Sequence, residues 1–95
     1  MKPFLFVVSS PDGDVFRGGV ISVSLRGTEG DLAVMAGHIP FVTSIVPCDC
    51  KLEQEDGSVW LGHTDGGILH IQKEKTVLFS GSFSWLSASQ AKRED

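Results

Sequence analysis

The chain has 95 residues, 41% hydrophobic and 21% charged, with a formal net charge of −4. That is one domain with one core, burying roughly 60–65% of its unfolded surface, and it is too apolar for disorder. The acidic balance, with no run of Lys or Arg, excludes a phosphate-neutralising nucleic-acid stripe. The apolar run at Phe4–Val8 covers five positions, short of the 7–15 of a secretory h-region. Nothing approaches the roughly 20 apolar residues of a membrane-spanning helix. A chain soluble by itself and cytoplasmic is expected.

Taken in order, short apolar runs alternate with turn chemistry. FLFVVSS leads into PDGD, a Pro-Asp-Gly turn over Pro11–Asp14. VISVSL places Ile21, Val23 and Leu25 on one face and Ser22 and Ser24 on the other. DLAVM follows the Gly-Thr-Glu-Gly turn. CDCKLEQ and SVWLGH flank Glu55-Asp56-Gly57, a hairpin signal. DGG then precedes ILHIQ, and KEK precedes TVLFSG. This spacing, without a long helical period, predicts an all-β, two-sheet sandwich of about eight to ten short strands. Phe4, Phe6 and Val8 are expected to fill its interior. The sandwich is assigned to residues 1–82, and 83–95 to a frayed or helical tail with Ser89 as a helix N-cap.

Cys48 and Cys50 read as reduced thiols, since a bridge across one residue is strained and no zinc spacing accompanies them. Gly27, Gly30 and Gly37 fit neither phosphate-loop pattern, so they read as turn glycines. Glu29 and Asp31 could form an acid/base pair, but a sugar cleft lined with aromatics is lacking and a solvated turn fits better. His38, between Gly37 and Pro40, belongs in an ordered loop whose rigidity suits a contact surface as well as a reaction centre. No catalytic, metal or cofactor constellation emerges.

GTEGDLAVMAGHIPFVTSI, from Gly27 to Ile45, resembles the signature of the epsilon subunit of F-type ATP synthases, G-x-E-G-(E/D)-L-G-(I/V)-x-P-G-H-x-P-L-x-T-x-(I/L). VVSSPDGDVFRGGVISVSLRG before it, and GGILHI with KTVLFS after it, resemble the same family's flanking strands. The resemblance covers about residues 3 to 82. Ala33, Ala36, Asp65 and His70 depart from the pattern, as does VPCDCKL.

The resemblance implies an N-terminal sandwich of two five-stranded sheets at the foot of the central stalk. It implies a non-catalytic rotor subunit, without a cofactor, that binds the gamma subunit and the c-subunit ring and couples ion-driven rotation to ATP synthesis. It places such a subunit peripherally at the cytoplasmic face of the bacterial cell membrane. Thr28, Glu29 and Asp31 match the loop near the c ring, and Ser10, His38 and Thr43 match positions toward gamma. Gly27, Gly30, Gly37 and Pro40 would shape the loop. The chain stops at Asp95, where the family continues into a helical hairpin, so coupling without hairpin-mediated inhibition or ATP binding is expected. Phe83, Trp85 and Leu86 stand where the family carries small polar residues. They are expected either to fold over a sandwich edge or to add to the gamma contact, against a local hydrophobic end with no partner role. Two other readings are a free-standing β-sandwich interaction module and an enzyme using His38 with Glu29 or Asp31.

Overall fold

A computed structural model describes residues 2–89. They form ten strands: β1 (Phe4–Ser10), β2 (Gly13–Val20), β3 (Ser22–Gly27), β4 (Gly30–Val34), β5 (Phe41–Ile45), β6 (Cys48–Glu53), β7 (Val59–Thr64), β8 (Gly67–Ile71), β9 (Lys75–Ser80) and β10 (Phe83–Ser89). The hydrogen-bonded order β10-β7-β6-β3-β5-β8-β9-β1-β2, with β4 on the other side of β3, separates into two layers of five. The first is β4-β3-β6-β7-β10 and the second β5-β8-β9-β1-β2. They share a single corner pair, Gly27 opposite Ile45. The all-β sandwich read from the sequence is borne out.

Alternation decides which side chains fill the space between the layers. Phe6, Val8, Val20, Val23, Leu25, Val34, Ile45, Leu52, Leu69, Ile71 and Leu78 meet there with Cys50 in one buried cluster. Each fully buried Leu or Phe contributes about 1.5–3 kcal/mol, so this cluster is the main source of stability. Ile21, expected to share the face of Val23, sits at the bend before β3 and is half-buried. β1 and β9 are parallel, and every other pairing is antiparallel.

The structure departs from the expected tail at its start. Phe83–Ser89 pairs antiparallel with β7 as an edge strand. Phe83 and Trp85 stand opposite Thr64 and Gly62, on the inward parity, so packing of Phe83 against the core, with the 37% exposed Trp85 ring against it, favours a strand over a frayed end. Residues 90–95, with the expected helix stub, lie outside the described residues.

Candidate functional site

The strand registers sort the sequence-predicted residues to two ends of the sandwich. Gly27 pairs with Ile45, Ile45 with Gly67, and Gly67 with Ser80. Phe79, one residue earlier, pairs with Ser9. The turns after Ser10, after Gly27 and after Thr64 therefore share one end, which carries Asp12, Asp14, Glu29, Asp31 and Asp65. At the opposite end, Phe41 pairs with Ile71 and Ile71 with Thr76. The His38 loop, the Gln72–Lys75 turn and the N-terminal residues meet there. β4, with five residues, separates Glu29 from His38 by about 17 Å. Glu29 and His38 thus stand at opposite ends and share no site, and Asp31, inside β4, is held by Arg26 near the Glu29 end.

At the acidic end Thr28 and Glu29 form an exposed two-residue tip. Thr28 N–H donates to the Ser44 carbonyl at 3.1 Å, and Val46 N–H donates to the Arg26 carbonyl at 3.1 Å. These bonds fix the tip against the second layer. Gly27 permits this approach: a Cβ there would meet Leu32 Cδ2 at 3.0 Å and the Ser44 carbonyl at 3.2 Å. Asp31 does not hang free; its Oδ1 accepts from Arg26 Nε at 2.7 Å. The hydrogen bond and charge of Asp31 raise the Arg26 pKa. Ser10 closes the first hairpin, its hydroxyl donating to the Gly13 carbonyl at 3.0 Å and accepting from Asp12 N–H at 3.3 Å.

At the other end His38 N–H donates to the Met35 carbonyl at 3.2 Å. Gly37, at φ 86°, supplies the left-handed residue this turn needs. The preceding turn position is Ala36, where proline would pre-set φ. His38 Nδ1 lies 2.9 Å from the Ile39 carbonyl, and its ring centroid is 5.1 Å from that of Phe41. Ile39 and Pro40 are exposed. Thr43 is half-buried and pairs with Leu69, so it shares the inward parity and Val42 and Ser44 face out.

The sequence reading missed an apolar strip on the outside of the second layer. Val42 is 58% exposed, Ile68 42% and Phe79 50%. Phe79 stands between Ile68 and Ser9, and Ile68 opposite Ser44. The strip thus crosses the sheet from the end of Ser10 toward Val42, and Ile39 continues it to the His38 loop. Its signal was present: TVLFS and ILHI carry large apolar groups at both parities, more than one inner face needs. The outer face of the first layer differs. A groove of about 760 Å³ crosses it; Arg26 there is paired with Asp31, His63 Nδ1 lies 2.9 Å from Asp49, and Lys51 makes no ion pair among the described residues. Among the described residues no group of three His, Cys, Asp or Glu side chains could hold a metal ion. No helix among them is long and apolar enough to cross a membrane.

The β-sandwich domain of the ATP synthase delta/epsilon chain, as a family, matches residues 4–85. The chain belongs to that family. The resemblance read from the Gly27–Ile45 signature is borne out. The ATP synthase epsilon chain of Dichelobacter nodosus is 27% identical over 78 residues, 82% of this chain and 54% of that protein. The chain thus spans about half the length of this curated relative. A chain of the Euglena gracilis mitochondrial ATP synthase (OSCP/F1/c-ring) superposes with a TM-score of 0.82 at 20% identity, covering 87% of this chain and 53% of that one. One from the central stalk and c-ring of the Tetrahymena thermophila mitochondrial ATP synthase gives 0.68 at 10% identity, covering 83% and 63%. At those identities the likeness is one of fold.

Proposed function

We propose that the chain is a non-catalytic rotor subunit of an F-type ATP synthase, binding the gamma subunit with the outer face of its second layer and the c-subunit ring with its acidic end. The exposed residues Phe79, Ile68 and Val42 carry this reading, because large apolar groups gathered on one outer sheet face suit a protein contact. They join the neighbourhoods of Ser10, Thr43 and His38, three residues assigned to the gamma side, although two of them sit at opposite ends. Glu29 on a tip held by two backbone bonds, with Asp31 just behind it paired to Arg26, suits basic loops of a ring, where charge fixes orientation more than affinity. The subunit would work peripherally at the cytoplasmic face of the bacterial membrane and would transmit rotation without an active site.

Titration of the chain into a matching gamma-containing catalytic head stripped of epsilon tests the reading. One-to-one binding is expected, with at least about a hundredfold loss in a Val42→Asp, Ile68→Asp variant, a penalty of the size of truncated interface hot spots. Both side chains are exposed, so the variant's melting temperature should stay close to that of the parent. No binding by the folded parent chain would leave the free-standing interaction module as the working account.

A further inference from the structure

The end of the sandwich that carries His38 holds a cleft of about 570 Å³ between the N-terminal residues, the His38 loop and the Gln72–Lys75 turn. Its floor is apolar, made by Phe4, Met35 and Ile71, and its rim carries Lys2, Lys73 and Lys75 against one carboxylate, Glu74. Two of its walls are hydrogen-bonded turns: Gln72 N–H donates to the Lys75 carbonyl at 2.8 Å, and His38 N–H to the Met35 carbonyl at 3.2 Å. The cleft is therefore shaped before anything enters it.

Its charge is unusual for this chain. The whole molecule is at −4, yet three lysines against one glutamate leave this rim net positive. The two described arginines are placed differently, and Lys51, also without an ion pair, stands alone on the other layer. Arg26 and Arg17 are paired with Asp31 and Asp14, whereas no described carboxylate forms an ion pair with Lys2, Lys73 or Lys75. Unneutralised lysines around an apolar lining attract an anion that brings an apolar group with it.

The geometry points to a docking site for an acidic peptide segment of a partner protein, anchored by one apolar side chain on Phe4 and Met35 with its carboxylates on Lys2, Lys73 and Lys75. The cleft is open along one side and holds more volume than one large side chain fills, which suits a length of chain rather than a compact ion. His38 is shared with the gamma-side assignment, but peptide binding to the chain alone is measured without gamma or a c ring, so the two readings fail separately.

The chain alone tests it, with a capped Glu-Leu-Glu-Phe-Glu peptide as probe and two-dimensional NMR as readout. Shifts confined to Phe4, Met35, Gly37, His38 and Lys73–Lys75 are expected, weakening about tenfold in a Lys73→Gln, Lys75→Gln variant, the size expected for two exposed ion pairs. They should also weaken with added salt. Lys51→Gln, on the other layer, should leave them unchanged. Equal shifts with Lys-Leu-Lys-Phe-Lys, or shifts elsewhere on the surface, would overturn the proposal. So would succinate producing the same shifts as the peptide, since the site would then take a small anion and need no anchor.

Discussion

The hydroxyl oxygens of Thr64 and Ser80 lie 2.6 Å apart in the interior, one on β7 in the first layer and one on β9 in the second. The two hydroxyls have two carbonyls to donate to, Ser80 to Ser82 at 2.7 Å and Thr64 to Gly66 at 3.3 Å; the shorter bond takes the Ser80 proton, which leaves Thr64 donating to Ser80. Thr64 in turn accepts from Gly66 N–H at 3.1 Å. The result is a directed chain, Gly66 to Thr64 to Ser80 to the Ser82 carbonyl, that ties two turns and both layers together.

Thr64→Val keeps the shape and removes the middle of that chain. It strands the buried Gly66 N–H and one lone pair of Ser80, at about 1–3 kcal/mol. For a domain of this size the melting temperature should fall by roughly 4–15 °C. Adding Ser80→Ala should cost less in that background than in the parent, because the two side chains share one network. Additive losses in calorimetry would show that the hydroxyls act independently.

Gly67 opens β8 where it crosses close to β9. A Cβ there would collide with the carbonyl of Phe79, backbone that cannot move without breaking the β8–β9 ladder. Gly67→Ala should therefore cost about 3 kcal/mol, and thermal melting followed by circular dichroism should show a fall of roughly 12–24 °C. A variant melting within a few degrees of the parent would mean that the ladder can slide to make room.

Much of this architecture was legible in the amino-acid order. Seven strands announced themselves by alternation between turn residues, as in VISVSL and SVWLGH. Three did not. Gly18 and Gly19 interrupt β2 and disguise its period, and β5 reads as part of a loop because Pro40 precedes it and Thr43 and Ser44 dilute it. β10 is written in serines and aromatics, and becomes a strand only because Gly62 leaves room on β7 for the Phe83 ring. Of the contact residues, the tip at Thr28 and Glu29 was readable from its flanking glycines. The apolar strip left only the both-parity signal of TVLFS and ILHI, and the basic cleft none, since each gathers residues far apart in sequence through the pairing of β5, β8, β9 and β1.

Cys50 supplies an alkaline limit. Burial pushes its thiol from 9.0 up to about 12, and the neighbouring Cys48 adds in the same direction. A thiol whose pKa is higher folded than unfolded contributes stability that is complete below pH 9. That contribution is lost as pH rises toward 12. The chain has no tyrosine whose ionisation would overlap this range. A thiol reagent at pH 8 should label the half-buried Cys48 and reach Cys50 only in denaturant. Cys50→Ala should flatten the fall in denaturation midpoint between pH 9 and 12. An unchanged slope would place the alkaline loss elsewhere.

Trp85 decides what the end of the described chain is for. Its ring packs edge-on against Phe83 at 5.1 Å, Trp60 at 5.3 Å and Phe16 at 5.8 Å between centroids. Phe16 belongs to β2 and Trp60 to β7, so Trp85 closes the open side between the edge strands of the two layers. The adjoining register shift leaves Leu86 without a partner on β7, and Leu86 is 53% exposed. Trp85→Ser should then cost about 2–4 kcal/mol, whereas Leu86→Ser should stay within about 0.5 kcal/mol. Affinity for a gamma-containing head, measured below the variant's melting transition, should be unchanged by Trp85→Ser. A loss of affinity at constant melting temperature would instead make Trp85 part of the contact surface and extend that surface around the sandwich edge.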